Sequence, residues 1–219
     1  MRRGRAAAFA LLAVCPAATP VLSGPLHGQR ITAAVTGSWT EHRVEAGLGT
    51  EVSTGPSVTL GAAMRLGTKL HVAAEGMVGK LTPDGVGEER DVSEVSLAVR
   101  YDLLRWLSLE TSATARGYTA PIATQHWTIA RIGAEARLPL GSGRFTGVGR
   151  VAFLPIVDVN GLSAPEQTIA AAAAIEYDPG RLAFRLQYQL ERYDFPPQGA
   201  VTRLEQLTGV ALRVSYGIL

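Results

Sequence analysis

Past residue 30 the chain has three histidines, His42, His71 and His126, whose side chains can move protons near neutral pH. Hydrolytic chemistry needs such an imidazole beside a serine or a carboxylate. His42 and His126 fall close to segments that also carry Asp84, Asp158 and Asp194, so an acid–imidazole pair is conceivable there. No nucleophile motif accompanies it, and a histidine at the base of a loop is more often a solvated side chain. His71 is expected to pair with Arg65. The stretch LTPDGVGEER, 81–90, is rich in acids but lacks the alternate-position spacing of a calcium loop. No phosphate-cradling glycine loop, metal-ligand spacing or repeat is visible. The expectation is therefore no catalytic, cofactor-binding or metal residues, and no cofactor.

A second set of ionisable residues follows a different rule. Arg65, Glu75, Glu94, Arg100, Glu110, Arg116, Arg131, Glu135, Arg150, Glu176, Arg185 and Arg213 all fall on the polar parity of their segments, most of them mid-segment. Charges at such positions do structural work if they meet one another. In RLAFRLQYQLERY, 181–193, Leu182, Phe184, Leu186, Tyr188 and Leu190 share one parity, while Arg185, Gln187, Gln189 and Glu191 share the other. Period-two alternation marks a β-strand with two unlike faces.

The same alternation recurs near 31–39, 58–66, 70–78, 94–102, 107–116, 130–138, 145–153, 168–177 and 210–218, which makes about ten strands, with eight as the alternative. The run IAAAAAI, 169–175, would read as helix by itself. Its neighbours make it a strand: the turn DPG, 178–180, predicts Tyr177 beside Leu182 and Glu176 beside Ala183. Short connections fall at 67–69, 102–106, 141–144 and 179–180. Longer ones fall near 42–56, 81–90, 119–125, 156–166 and 194–206, so the two kinds alternate strictly.

Length and composition fit one domain of 219 residues. The chain opens MRRGRAAAFALLAVC, with Arg2, Arg3 and Arg5 before an apolar run and small residues: the layout of a signal peptide over 1–28, cleaved after Ser23 or Gly28. Of 21 basic and 19 acidic residues, removing those three arginines leaves 18 against 19, a net of −1, so no nucleic-acid partner is expected. Cys15, the single cysteine, lies inside this segment, so the remainder cannot form a disulfide. LLAVC only loosely matches a lipidation signal, because Val14 stands where a small residue belongs.

Charge sits on one parity with a strictness that lipid imposes, since a lipid-facing midplane Arg or Lys costs about 2–4 kcal/mol. Aromatic residues gather at segment ends: Tyr101, Trp106, Phe145, Tyr177 and Tyr216 at the short-connection end, Trp39, Tyr118, Trp127, Phe153, Tyr193 and Phe195 at the other. They are expected to form two interfacial girdles. From signal segment and pattern together, the chain resembles the small bacterial outer-membrane β-barrel proteins. That resemblance implies an all-β, up-and-down antiparallel transmembrane barrel over 29–219, in the outer membrane, with termini and short turns on the periplasmic side. It further implies contact with outer-membrane lipid and lipopolysaccharide, and insertion by the barrel-assembly machinery. The chain departs from such barrels at its end, where Ile218 and Leu219 replace the usual terminal aromatic. The expected role is structural or interaction-based, with a polar, mostly occluded lumen. Three alternatives remain: a narrow low-conductance channel, a lipid A-modifying or omptin-like barrel enzyme, and a soluble lipocalin-like carrier.

Overall fold

A computed structural model describes residues 30–218, apart from 86, 122, 142 and 200. The expected signal segment and its cleavage points at Ser23 and Gly28 lie outside the described residues. Ten strands follow one another: β1 (Arg30–Ala46), β2 (Gly49–Leu66), β3 (Leu70–Pro83), β4 (Arg90–Asp102), β5 (Leu107–Thr119), β6 (Thr124–Leu140), β7 (Phe145–Val159), β8 (Gln167–Tyr177), β9 (Leu182–Gln198) and β10 (Val201–Gly217). Each pairs antiparallel with its chain neighbours, and β1 pairs with β10, so the sheet closes into an up-and-down barrel. Closure leaves no edge strand, although β7 beyond Ala152 lacks a β8 partner. The count is ten, not eight.

Local preference yields to pairing in β8. Its alanines are good helix formers, yet Ala170–Ala174 are paired on one side with β7 and on the other with β9. The turn after β8 departs from the expected register. Glu176 lies opposite Arg185 and Tyr177 opposite Phe184, two residues further on than a two-residue turn would set them. Asp178 N–H donates to the Arg144 carbonyl, and Gly180 N–H donates to the Asp178 carboxylate. Those bonds fix the connection, in which the pair Tyr177–Phe184 encloses the six residues 178–183. A shift of two preserves both faces, because the side-chain period is two.

Two of the expected long connections are mostly strand. β1 and β2 run to a turn at Gly47–Leu48, where Gly47 has φ 60°. β9 ends at Gln198 and β10 begins at Val201. The two ends of the barrel differ less in loop length than in how far the strands continue. Past Trp39, the outward positions of β1 become Glu41, Arg43 and Glu45, which suit water.

A second irregularity comes from Pro155. Ile132 pairs with Phe153 but Ala130 with Ile156, so β7 carries one extra residue. Proline lacks the N–H that a ladder needs and is tolerated at such a bulge. Beyond it the inward parity flips: Leu154 is buried, and so are Val157 and Val159.

Candidate functional site in the barrel interior

The two faces of the strands have opposite chemistry. Val35, Leu60, Val95, Leu97, Ile132, Val151, Leu186 and Leu212 are each at least half exposed on the outside, and every strand contributes to this belt. Soluble monomers rarely expose apolar patches beyond a few hundred Å². Phe184 and Leu212 point outward, while Arg185 and Arg213 beside them point in.

All twelve charged residues expected on the inner face line one interior cavity. They form paired clusters. Glu191 accepts hydrogen bonds from Arg116 at 3.0 Å, Arg131 at 2.7 Å and the Tyr193 hydroxyl at 2.7 Å, and Arg116 also donates to Glu94 at 2.6 Å. Glu135, 2% exposed, lies within 3.4 Å of Arg100 and 3.1 Å of Arg137. Glu176 accepts from Arg185 at 2.8 Å and pairs with Arg137. Arg150 pairs with Glu110 at 2.8 Å, and Arg213 with Glu75. Arg65 instead donates to the Thr68 carbonyl. Burying ions is costly unless each is paired and hydrogen-bonded, and here nearly every one is.

Near the long-hairpin end the interior holds an apolar and aromatic cluster. Trp127 and Tyr193, expected in an outer girdle, are 1% and 0% exposed and pack inside the barrel. Trp127 meets Tyr193 edge-on with centroids 5.0 Å apart, Phe195 at 6.1 Å and Tyr118 at 6.3 Å. Ile129, Leu81, Val92, Leu154, Val157 and Val159 complete this core. Tyr118 and Phe195 share the correction. The physical reason is parity: Trp127 is in step with Arg131 and Glu135, and Tyr193 with Arg185 and Glu191, so all four rings turn inward. Trp39, Tyr101, Trp106, Phe153 and Tyr216 are exposed on the outside. Tyr177 is part-buried outside, between the rings of Phe145 and Phe184.

Below this core runs a cavity of about 620 Å³. One wall carries the ion pairs of β4 to β9, and the Arg213–Glu75 pair joins β10 to β3. The other, from β1 to β3, carries Thr36, Ser38, Thr59, Ala63 and Ala73. Small residues on one side thus leave the space that the arginines opposite do not fill. Its upper lining includes Leu81, Val92 and Tyr118 from the apolar core.

No protein-family model and no curated protein matches this chain. Among solved structures, it is similar to the translocator domain of the autotransporter NalP from Neisseria meningitidis. Identity there is 14%, covering 88% of this chain and 90% of that one, with a TM-score of 0.47. The β-domain of the Bordetella autotransporter Brka is 10% identical over 86% and 98%, with a TM-score of 0.46. Neisserial surface protein A is 10% identical over 84% and 96%, with a TM-score of 0.39. The fold rests on the strand pairing above.

The histidines go to separate places. His42, 2% exposed, lies inside the barrel, stacked on Tyr118 and 3.0 Å from Glu205 rather than beside any of the three aspartates. Glu205 also accepts from Arg203 at 2.6 Å. Ser53 faces His42 across the β1–β2 pair and is 1% exposed, but the hydrogen bond of His42 goes to Glu205. His126 is exposed on the outer face, where its backbone N–H donates to Asn160. His71 bonds Asp102 at 2.9 Å rather than Arg65, because Asp102, held by Ser108 at 2.8 Å, supplies a hydrogen-bond acceptor that a guanidinium lacks.

The inner-face charges also include Glu191, Arg137 and Asp102, which share the polar parity read from the sequence, and Glu205, which sequence reasoning missed although it is in step with Arg213 on β10.

Proposed function

We propose that the chain is an integral outer-membrane barrel whose lumen is closed at its extracellular end, acting in structure or surface contact rather than conduction. The observation that supports it is the ring cluster of Tyr118, Trp127, Tyr193 and Phe195 lying across the interior above the ionic lumen. A water path would have to cross it. The extended β1–β2 and β9–β10 hairpins then stand above the lipid, where Arg43 and Arg192 are exposed to lipopolysaccharide phosphates or a protein partner. Insertion would follow the usual barrel-assembly route. We assign no catalytic role to His42 or His126.

A second reading is a narrow channel, favoured by the cavity of about 620 Å³, room for roughly 20 waters. Planar-bilayer recording separates the two. The closed barrel shows no discrete conductance steps, and Trp127→Ala combined with Tyr193→Ala introduces them. Steps of equal size in the unaltered protein would establish the channel instead. Cell fractionation tests the location: the chain should follow the outer membrane and need detergent, whereas a lipocalin-like carrier would appear in the periplasmic wash.

A further inference from the structure

Four turns join β2 to β3, β4 to β5, β6 to β7 and β8 to β9 at one end of the barrel, and each carries one exposed cation: Lys69, Arg105, Arg144 and Arg181. Because consecutive strands are neighbours all round the barrel, successive turns lie two strands apart, roughly 10 Å along the rim. The ion pairs at this end use other cations, namely His71, Arg100, Arg137, Arg185 and Arg213. The opposite end is different: its exposed cations Arg43, Lys80 and Arg192 each pair with a carboxylate, and Glu45, Glu88, Asp91, Asp158 and Glu166 are exposed beside them.

We propose that this ring of four turn cations binds the phosphate headgroups of anionic phospholipid in the leaflet at the turn end. The inference rests on the membrane reading above and adds a ligand to it. A lipid rather than a soluble anion is indicated by what surrounds the cations. Lys69 Nζ lies 5.6 Å from the centre of the outward Tyr101 ring, and Arg105 stands between the exposed Leu104 and Trp106. Phe145 is exposed on the outer surface next to Arg144. Apolar and aromatic side chains at the interface beneath a charge put that charge at headgroup height. A basic side chain near an anionic membrane surface contributes roughly a five-fold preference.

The test is native mass spectrometry of the folded, detergent-solubilised barrel with equimolar phosphatidylglycerol and phosphatidylcholine. The unaltered protein should retain phosphatidylglycerol at least about five-fold over phosphatidylcholine. The K69Q/R105Q/R144Q/R181Q variant should retain the two equally. If that variant does not fold, the R105Q/R144Q pair should still lower the preference, while K80Q/R192Q at the opposite end should leave it intact. Equal retention by the unaltered protein overturns the proposal, as does a preference that survives the four substitutions. Displacement of the lipid by millimolar inorganic phosphate would identify a free-anion site and overturn it too. A barrel that needs detergent but shows no headgroup preference sinks this inference alone; one that needs no detergent sinks the membrane reading.

Discussion

At the scale of single residues, Glu191 is the acceptor on which the upper ionic cluster converges. Arg116 is 7% exposed, and its guanidinium is shared between Glu191 and Glu94, while Arg131 has Glu191 and the Thr114 hydroxyl. Glu191→Gln keeps the shape and removes the charge, so two buried guanidinium groups lose an anion together. Removing one partner of a buried pair costs about 3–5 kcal/mol. Urea unfolding of the lipid-reconstituted barrel should show a loss of that size, and a loss below about 1 kcal/mol would mean that water already screens the cluster. The aromatic residues yield a second test, because the chain has three tryptophans. Trp39 and Trp106 face outward while Trp127 is enclosed. Single-tryptophan versions in brominated phospholipid should lose most fluorescence at 39 and 106 and little at 127. Strong quenching at 127 would return that ring to the girdle. Parity corrects the girdle assignment of this ring, as it does for Tyr118, Tyr193 and Phe195. Strand-end position suggested a girdle, whereas the alternation shared with Arg131 and Glu135 already placed Trp127 within.

At the scale of elements, what the sequence makes legible is decided by backbone constraint. Period-two alternation identifies all ten strands, including the alanine-rich β8, since a strand between two others must match both. Registers are harder, because a shift of two residues keeps every side chain on its face, and that is the size of the change at the β8–β9 turn. The bulge in β7 had a readable marker in Pro155, whose consequence for parity only the pairing reveals. Opposite it, Gly133 has no room for a side chain: an added Cβ would sit 2.5 Å from the Val151 carbonyl oxygen and 2.7 Å from the Ala152 Cβ. Both obstacles belong to the strand backbone or its first side-chain atom and cannot swing away. Gly133→Val should therefore destabilise the barrel by about 1–3 kcal/mol or block closure. Gly149→Ala, where nothing lies within 4 Å, should be close to neutral. Heat-modifiable mobility on cold SDS gels reads the folded fraction of each. Equal folded fractions for the two variants would show that β6 and β7 separate more readily than their pairing implies.

At the scale of the whole molecule, the barrel is polar along its axis, and that polarity was only partly legible. The sequence segregates its connections into two kinds, but their unequal lengths come largely from strands running past the apolar belt. β1 continues seven residues from Trp39 to Ala46, which at the tilt of such barrels lifts the hairpin roughly 15–20 Å above the girdle. Leu48 at its tip is fully exposed, and the outward apolar belt resumes only at Pro56 and Val58 of β2. At the other end the turns are short and cationic, and both chain ends of the described barrel lie beside them: Thr32 pairs with Gly217. An exported chain whose termini stay on the periplasmic side must then display the β1–β2 tip to the outside. A protease recognition site inserted between Gly47 and Leu48 should be cut in intact cells. The same site inserted beside Gly143 should be cut only after the outer membrane is permeabilised, because the proposed orientation turns the β6–β7 connection to the periplasm. The opposite pattern would invert the barrel, placing the acidic hairpins inside and the cationic ring against lipopolysaccharide. Cutting at neither site in intact cells, with both cut after lysis, would show that the hairpin is shielded on the surface.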